Sequence, residues 1–512
     1  MDKPVSQNQG LTLLEAIVFS ASRQPTKIAL QCENKKLTYR KLSENILKVR
    51  SAVSSLDLTE GSPVCLVAPN TIEYPEVVIG VSGAGHPVVT VNPNLTSVEL
   101  ESVLEDCGAE ALILHSTCEE KSREASKGRE LKTITLGSVY ESWRDQGKVK
   151  SLASRVSEYS TFAISYTSGT TGVPKGVMLS HRSRLLTFFA MASEYGCYGP
   201  RDRAIAVAPM YHGGGFAFAI APLVTGGAVV IVPQFDPENL LGSIDREGAT
   251  NVFVVPTHLS AVLSLSKKAL QSFRQSELKT IISNAAPITE RIKRMSIDYF
   301  GEGKLYECYG STEAGIMSNL PPLDQLKKQN CAGLPFPLTE LAILDQNGVQ
   351  VEPGNLGEVF SRSPFHFNGY WKRESETKKI RRGEWLTSGD LGRFDEEGYL
   401  YIEGRSKDMI LSGGVNVYPA EIEKVLEQHR EVHEAVIIGK PDDHWGEQVI
   451  AFVVGNESNL TAHELENYCK ERLANFKIPK SFHFIDSLPR NPTGKLLRRV
   501  LRERVGLSLI HI

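Results

Sequence analysis

Residues 166–176 read YTSGTTGVPKG and place hydroxyl groups at Thr167, Ser168, Thr170 and Thr171, glycines at Gly169 and Gly172, and an ammonium at Lys175 in one short stretch. Glycine lets the backbone curl close to an anion, N–H and hydroxyl groups donate to phosphate oxygens, and the lysine adds charge. This is the chemistry of a loop that holds a polyphosphate. It is not a Walker A loop, because the G-x-x-x-x-G-K-[ST] spacing is missing. The apolar run just before it, residues 162–166, predicts a strand that delivers the loop.

Further short motifs stand downstream: YGSTE at 309–313, WLTSGD at 385–390, GRSKD at 404–408, SGG at 412–414 and NPTGK at 491–495. Any one alone reads as a turn, a cap or a solvated charge. In this order and at these separations the set resembles the adenylate-forming superfamily of acyl-CoA synthetases, nonribosomal peptide adenylation domains and firefly-type luciferases. The resemblance runs from about residue 10 to residue 503.

The resemblance implies roles residue by residue. ATP phosphates fall to Thr167, Ser168, Gly169, Thr170, Thr171, Gly172 and Lys175, and Mg2+ to Thr170 and Glu313, a hard cation taking oxygen ligands. Tyr309 lies at the adenine beside the loop of Asn284, Ala285 and Ala286, with Gly310, Ser311 and Thr312 completing that wall. Asp390 accepts from the ribose hydroxyls and Arg405 assists. Lys495 stabilises negative charge between the substrate carboxylate and the α-phosphate as the acyl-adenylate forms. Lys407 aligns with a hinge about which a small C-terminal domain rotates, and Gly413 and Gly414 then line a passage for a pantetheine arm. Two departures stand out: Ser388 precedes Gly389 and Asp390 where many relatives carry Thr, and Asn284 opens a loop that is more often glycine-rich.

The segment PMYHGGGF, residues 209–216, matches the wall of the carboxylic-acid pocket in relatives, and His212 matches a histidine common there. Residues 204–235 contain no Asp, which argues against an amino-acid substrate, and no Arg or Lys, which favours a neutral acid, either aliphatic or aromatic and coumarate-like. The glycines at 213–215 are expected to leave room for a ring or chain, with Phe216, Val255, Thr257, Ser283 and Ile316 as walls. The expected reaction joins a carboxylate and MgATP to acyl-AMP with release of pyrophosphate, and CoA then gives acyl-CoA and AMP. The alternative is transfer to the phosphopantetheine arm of an acyl carrier protein. Replacement of Lys495 or Glu313 would have marked a non-catalytic nucleotide binder, and both are present.

β-Branched runs alternate with amphipathic stretches from 158 to 309 and in an earlier series with strands at 64–67, 88–91 and 112–114, which predicts parallel sheets in an α/β fold. After Gly369 short charged turns predict a β-meander or barrel subdomain, and beyond Arg405 a small α+β unit. The expected division is an AMP-binding domain over 1–404 and a mobile C-terminal domain over 405–512. His429 and His433 share an i, i+4 spacing, but the stretch reads as a solvated helix end without a third metal ligand.

Lys and Arg number 57 against 60 Asp and Glu, a net charge of −3, so no basic excess exists to neutralise nucleic-acid phosphates. Prolines and paired glycines interrupt the long uncharged stretch at 204–235, which excludes it as a membrane span. Eight scattered cysteines without a CxxC, and an N-terminus without an apolar signal core, predict a reduced, cytoplasmic protein; the expected assembly is a monomer or homodimer.

Overall fold

A computed structural model describes residues 11–148, 156–167, 174–405, 408–412, 415–442, 446–455, 460–491 and 494–505. The expected mixed α/β architecture is present, with a large N-terminal and a smaller C-terminal part. By contacts the chain divides into residues 1–329 with 335–340 and 361–386, and residues 330–334 with 341–360 and 387–512.

The first unit is built on two sheets. One runs in the order Gly369–Tyr370, Lys175–Ser180, Thr161–Thr167, Val88–Val91, Val64–Val67, Ala111–Leu114, Lys132–Thr135. Every residue of Val64–Val67, Val88–Val91 and Ala111–Leu114 is buried. Strands covered on both faces lose any polar alternation, which is why these segments read as nearly continuous apolar runs with Thr90 as their one polar residue. The helix Ser97–Cys107 begins in a capping box between Thr96 and Glu99 and stops at Gly108, whose φ is 67°.

The other sheet carries, side by side, Gly315–Leu320, Leu305–Ser311, Thr280–Ser283, Asn251–Val254, Arg203–Ala206, Ala228–Ile231, Ile28–Cys32 and Lys35–Thr38. From Leu305–Ser311 to Ile28–Cys32 the neighbours are parallel. Two sheets were expected, but the chain fills them differently from its order in sequence. Thr161–Thr167, read as the start of the later series, pairs with Val88–Val91 of the earlier one. Ile28–Cys32 crosses to the later sheet and pairs with Ala228–Ile231. Periodicity reports an element's type, while its neighbours are set by long-range packing.

The second unit contains the ladder that pairs Asp390 with Arg405 and Phe394 with Leu400 around the turn at 395–398. Its C-terminal part has a sheet ordered Val415–Val417, Ile410–Ser412, Gly446–Gly455, Val432–Asp442, with Ser481–Phe484 parallel to Gly446–Gly455. Arg498 of the helix Arg498–Arg504 ties that helix to the sheet through Glu423 at 2.7 Å and the Ile437 carbonyl at 2.6 Å. The helix before His429 ends at Glu427, and His433 lies on a strand, so the two histidines do not share a helix face. His429 is buried rather than solvated and packs edge-on to Tyr468.

All eight cysteines are buried and unpaired by disulfides. Among the described residues no helix is long and apolar enough to cross a membrane.

His181, fully buried at the start of the helix His181–Tyr195, accepts the Leu13 N–H at 3.3 Å on Nδ1. Burial pushes its pKa down to about 3, below the ordinary 6.5. The unfolded chain therefore takes the proton first, so this contribution is complete above about pH 6.5 and is lost as pH falls toward 3. Urea unfolding from pH 7.5 to pH 5 should show stability falling with pH, and His181→Gln should flatten that fall by up to about 1.4 kcal/mol per pH unit. An unchanged slope would show that His181 does not titrate this way.

Candidate active site

The antiparallel strands Thr161–Thr167 and Lys175–Ser180 pair Thr167 directly with Lys175. The hairpin thus brings the two ends of the phosphate-loop motif together. Ser168, Gly169, Thr170, Thr171 and Gly172 lie outside the described residues. Gly176 is required by packing: a Cβ there would sit 2.7 Å from Ile164 Cγ2 and 3.2 Å from Trp371 Cβ. Beside the hairpin Tyr166 donates to Asp106 at 2.5 Å, and Arg373 reaches the same carboxylate at 2.7 Å.

Lys175 is paired with Glu376, and its Nζ lies 5.3 Å from the centroid of the Tyr370 ring. The Tyr370 hydroxyl donates to Glu313 Oε1 at 2.8 Å. Burial, with Glu313 next, pushes the tyrosine pKa up, so the hydroxyl stays protonated and donates. Tyr370 reaches this position because Gly369–Tyr370 pairs with Val177 and Met178 at the sheet edge.

Glu313 sits in the turn between Leu305–Ser311 and Gly315–Leu320, where Ser311 Oγ accepts the Ala314 N–H at 3.0 Å. Glycine is demanded at both ends. A Cβ on Gly310 would lie 2.0 Å from the Gly315 carbonyl, and Gly315 has φ 78° with Phe365 Cβ 2.8 Å from where its own Cβ would be. Thr312 faces Gly213, whose Cβ would meet its Cγ2 at 3.7 Å. Tyr309 pairs with Ser318 across the hairpin.

The loop after Thr280–Ser283 stands beside this hairpin. Asn284 Nδ2 donates to the Cys308 carbonyl at 2.6 Å, and its Oδ1 accepts the Ala285 N–H at 2.6 Å. Ala285 has φ 82°, a left-handed conformation that costs an alanine about 1–2 kcal/mol. Such strain persists only where its surroundings impose it. Underneath, Glu307 accepts the Ile288 N–H at 3.1 Å and pairs with buried Lys293 at 3.2 Å. These loops all leave the carboxyl ends of parallel strands, the side on which open α/β sheets bind ligands.

His212 precedes the helix Gly213–Thr225. Its Nε2 is buried without a hydrogen-bond partner among the described residues, and burial pushes its pKa down to about 4. It is a neutral ring at physiological pH with one polar atom unspent. Phe216, Val255, Ser283 and Ile316 are buried, while Thr257 is exposed. Gly215 does not leave room for a substrate; a Cβ there would lie 2.0 Å from the Pro209 carbonyl, so its glycine serves backbone packing.

In the second unit Asp390 Oδ1 meets Arg405 Nε at 3.1 Å and Oδ2 accepts the Ser388 hydroxyl at 2.7 Å. Serine here keeps the hydroxyl that threonine would supply. Lys495 is exposed at the end of a turn in which its N–H donates to Asn491 Oδ1 at 2.8 Å. Gly494, with φ 80°, allows that turn. Lys407, Gly413 and Gly414 lie outside the described residues.

Residues 18–371 match the family described as AMP-binding enzyme, and residues 421–495 match its C-terminal domain. The chain belongs to the AMP-binding enzyme family. It is 34% identical over 502 residues to the fatty acid–[acyl-carrier-protein] ligase ScoC of Streptomyces coeruleorubidus, covering 96% of each chain. It is 32% identical to a 2-succinylbenzoate–CoA ligase of Bacillus cereus (strain AH820), covering 94% of this chain and 96% of that one. ATP-bound MatB from Rhodopseudomonas palustris superposes with a TM-score of 0.89 at 26% identity, over 97% of this chain and 99% of that one. This AMP-binding enzyme is accordingly an AMP-forming acid–thiol ligase of the adenylate-forming superfamily.

Sequence reading missed Tyr370, Glu376, Lys293 and Arg184. Tyr370 reads as an apolar position between Gly369 and Trp371, and no spacing marks Lys293 as buried. Arg184 is buried and donates to the Phe365 carbonyl at 2.7 Å, anchoring the segment that leads to Tyr370. Removing the cation from beneath the 284–288 loop leaves Glu307 a buried, unpaired acid. Lys293→Met in this AMP-binding enzyme should cost about 3–5 kcal/mol in urea unfolding. A cost below about 1 kcal/mol would mean that the pair does not brace the loop.

Proposed function

We propose that the protein activates a neutral fatty or aromatic carboxylic acid with MgATP and transfers the acyl group from AMP to the thiol of CoA. What supports this most is the convergence in one unit of Lys175, Glu313 and the strained loop at Ala285, with the neutral ring of His212 next in sequence to Gly213, which faces Thr312. A cation at the phosphate hairpin and a carboxylate beyond it suit an anionic, metal-bearing nucleotide. A desolvated neutral imidazole with a spare nitrogen suits one end of an uncharged acyl group or its carboxyl oxygen.

In this reading residues 167–172 and Lys175 hold the phosphates. Tyr309, Gly310, Ser311, Thr312 and the Asn284, Ala285 and Ala286 loop hold the adenine, and Asp390 with Arg405 the ribose. Glu313 and Thr170 hold Mg2+. Among the described residues no three His, Cys, Asp or Glu side chains gather as a metal site. That fits Mg2+, which takes one or two carboxylates and otherwise phosphate oxygens and water. When bound it neutralises charge on the phosphates.

Lys495 supplies positive charge where the carboxylate oxygen attacks the α-phosphorus and pyrophosphate departs. The thiol then attacks the acyl carbon, and AMP leaves. The domain boundary in this reading lies near 405, with Lys407 at the hinge and Gly413 and Gly414 serving the thioester step. Eight buried free thiols support a reducing, cytoplasmic setting.

A second acceptor is favoured by one observation, the 34% identity to a relative named a fatty acid–[acyl-carrier-protein] ligase. Mass spectrometry after incubation with MgATP, CoA and a panel of aliphatic, aryl and dicarboxylic acids separates the readings. Acyl-CoA and AMP from a neutral acid are expected. Acyl-AMP without thioester, becoming thioester only when a phosphopantetheinylated carrier protein is added, would replace CoA as the acceptor. Turnover restricted to dicarboxylic acids would overturn the neutral-acid reading.

A further inference from the structure

The lysine of the phosphate hairpin and the carboxylate that follows the YGST turn carry opposite charges and share a neighbour, yet among the described residues they form no ion pair with each other. Lys175 is paired with Glu376 of the short helix Glu374–Lys379, and Glu313 is engaged by the Tyr370 hydroxyl. Tyr370 stands between them: its ring supports Lys175 at 5.3 Å and its oxygen holds Glu313 at 2.8 Å.

The tyrosine is itself fixed. Its N–H donates to Thr377 Oγ1 at 2.9 Å, its ring meets Phe367 edge-on at 5.0 Å, and the Phe367 N–H donates to the Glu313 carbonyl at 2.8 Å. Gly369, with φ 143°, brings the backbone against Thr377, whose Cγ2 lies 3.2 Å from where a Cβ would be. Neither the phosphate motif nor the YGSTE motif contains this residue.

We propose that Tyr370 is a positioning residue of the nucleotide site, a neutral spacer that orients the Glu313 carboxylate while keeping it from collapsing onto Lys175. The physical need is plain. A direct Lys175–Glu313 pair would spend both charges on each other, whereas a hydroxyl satisfies one carboxylate oxygen without neutralising it and leaves the other for a cation. The aromatic face holds the ammonium without an anion in the metal's place. Glu376 then holds Lys175 until a phosphate replaces it. The inference rests on the reading of Glu313 as a Mg2+ ligand.

The test is calorimetric titration of the full-length protein with ATP, without acid or thiol, across a series of Mg2+ concentrations. Glu313→Gln is the control and should abolish most of the gain in ATP affinity that Mg2+ confers. Tyr370→Phe keeps the ring and removes only the hydroxyl; it should cut that gain by about tenfold or more while leaving Mg2+-free ATP affinity within about twofold. Tyr370→Ala should also weaken Mg2+-free binding, because the support for Lys175 is gone. If Glu313→Gln loses the gain and a folded Tyr370→Phe keeps it, the spacer role is wrong. If Glu313→Gln keeps the gain, the metal reading itself fails, whatever Tyr370 does.

Discussion

A protein that binds a triphosphate must hold positive charge and a metal-binding carboxylate close together before the nucleotide arrives, without letting them cancel. In the proposed reading that constraint falls to Lys175, Tyr370 and Glu313: the lysine pairs with Glu376 and lies against the Tyr370 ring, and the Tyr370 hydroxyl donates to Glu313. The surrounding fold can be read as what this arrangement needs. The hairpin joins Thr167 to Lys175, the edge strand delivers Tyr370, and glycines at 310 and 315 close the turn that presents Glu313. Each element belongs to a different stretch of sequence, so the site exists only once both sheets have formed.

The same logic extends below the site. Strain at Ala285 is tolerated because Asn284 bonds the loop to the Cys308 carbonyl and Glu307 with Lys293 supports it from beneath. His212 is kept neutral by burial, which in the proposed reading suits an uncharged acyl end. In the second unit, Lys495 is carried on a turn held by Asn491 and Gly494 rather than in a core.

Much of this was legible in the chain. The buried parallel strands announce themselves as apolar runs, and the ordered motifs mark the hairpin, the YGSTE turn, Asp390 and Lys495 because their residue types are unusual together. Sheet membership was not legible: Thr161–Thr167 and Ile28–Cys32 join sheets by packing that no local period records. Tyr370 was hidden for a related reason, since a tyrosine between glycine and tryptophan looks like core until the fold turns its hydroxyl toward Glu313. The spacing of His429 and His433 misled, because Glu427 ends the helix before either residue. Gly215 likewise has a backbone reason that composition cannot distinguish from an open pocket.

The central claim is that this protein makes a carboxylic acid electrophilic by forming acyl-AMP reversibly, with Lys495 as the proposed stabilising charge. Acid-dependent exchange of labelled pyrophosphate into ATP, measured without any thiol, tests it directly. Exchange that requires the acid and Mg2+ and falls about 100-fold or more in Lys495→Ala, with ATP still bound, is the predicted result. Exchange that proceeds undiminished without Lys495, or that does not depend on the acid, would contradict the account.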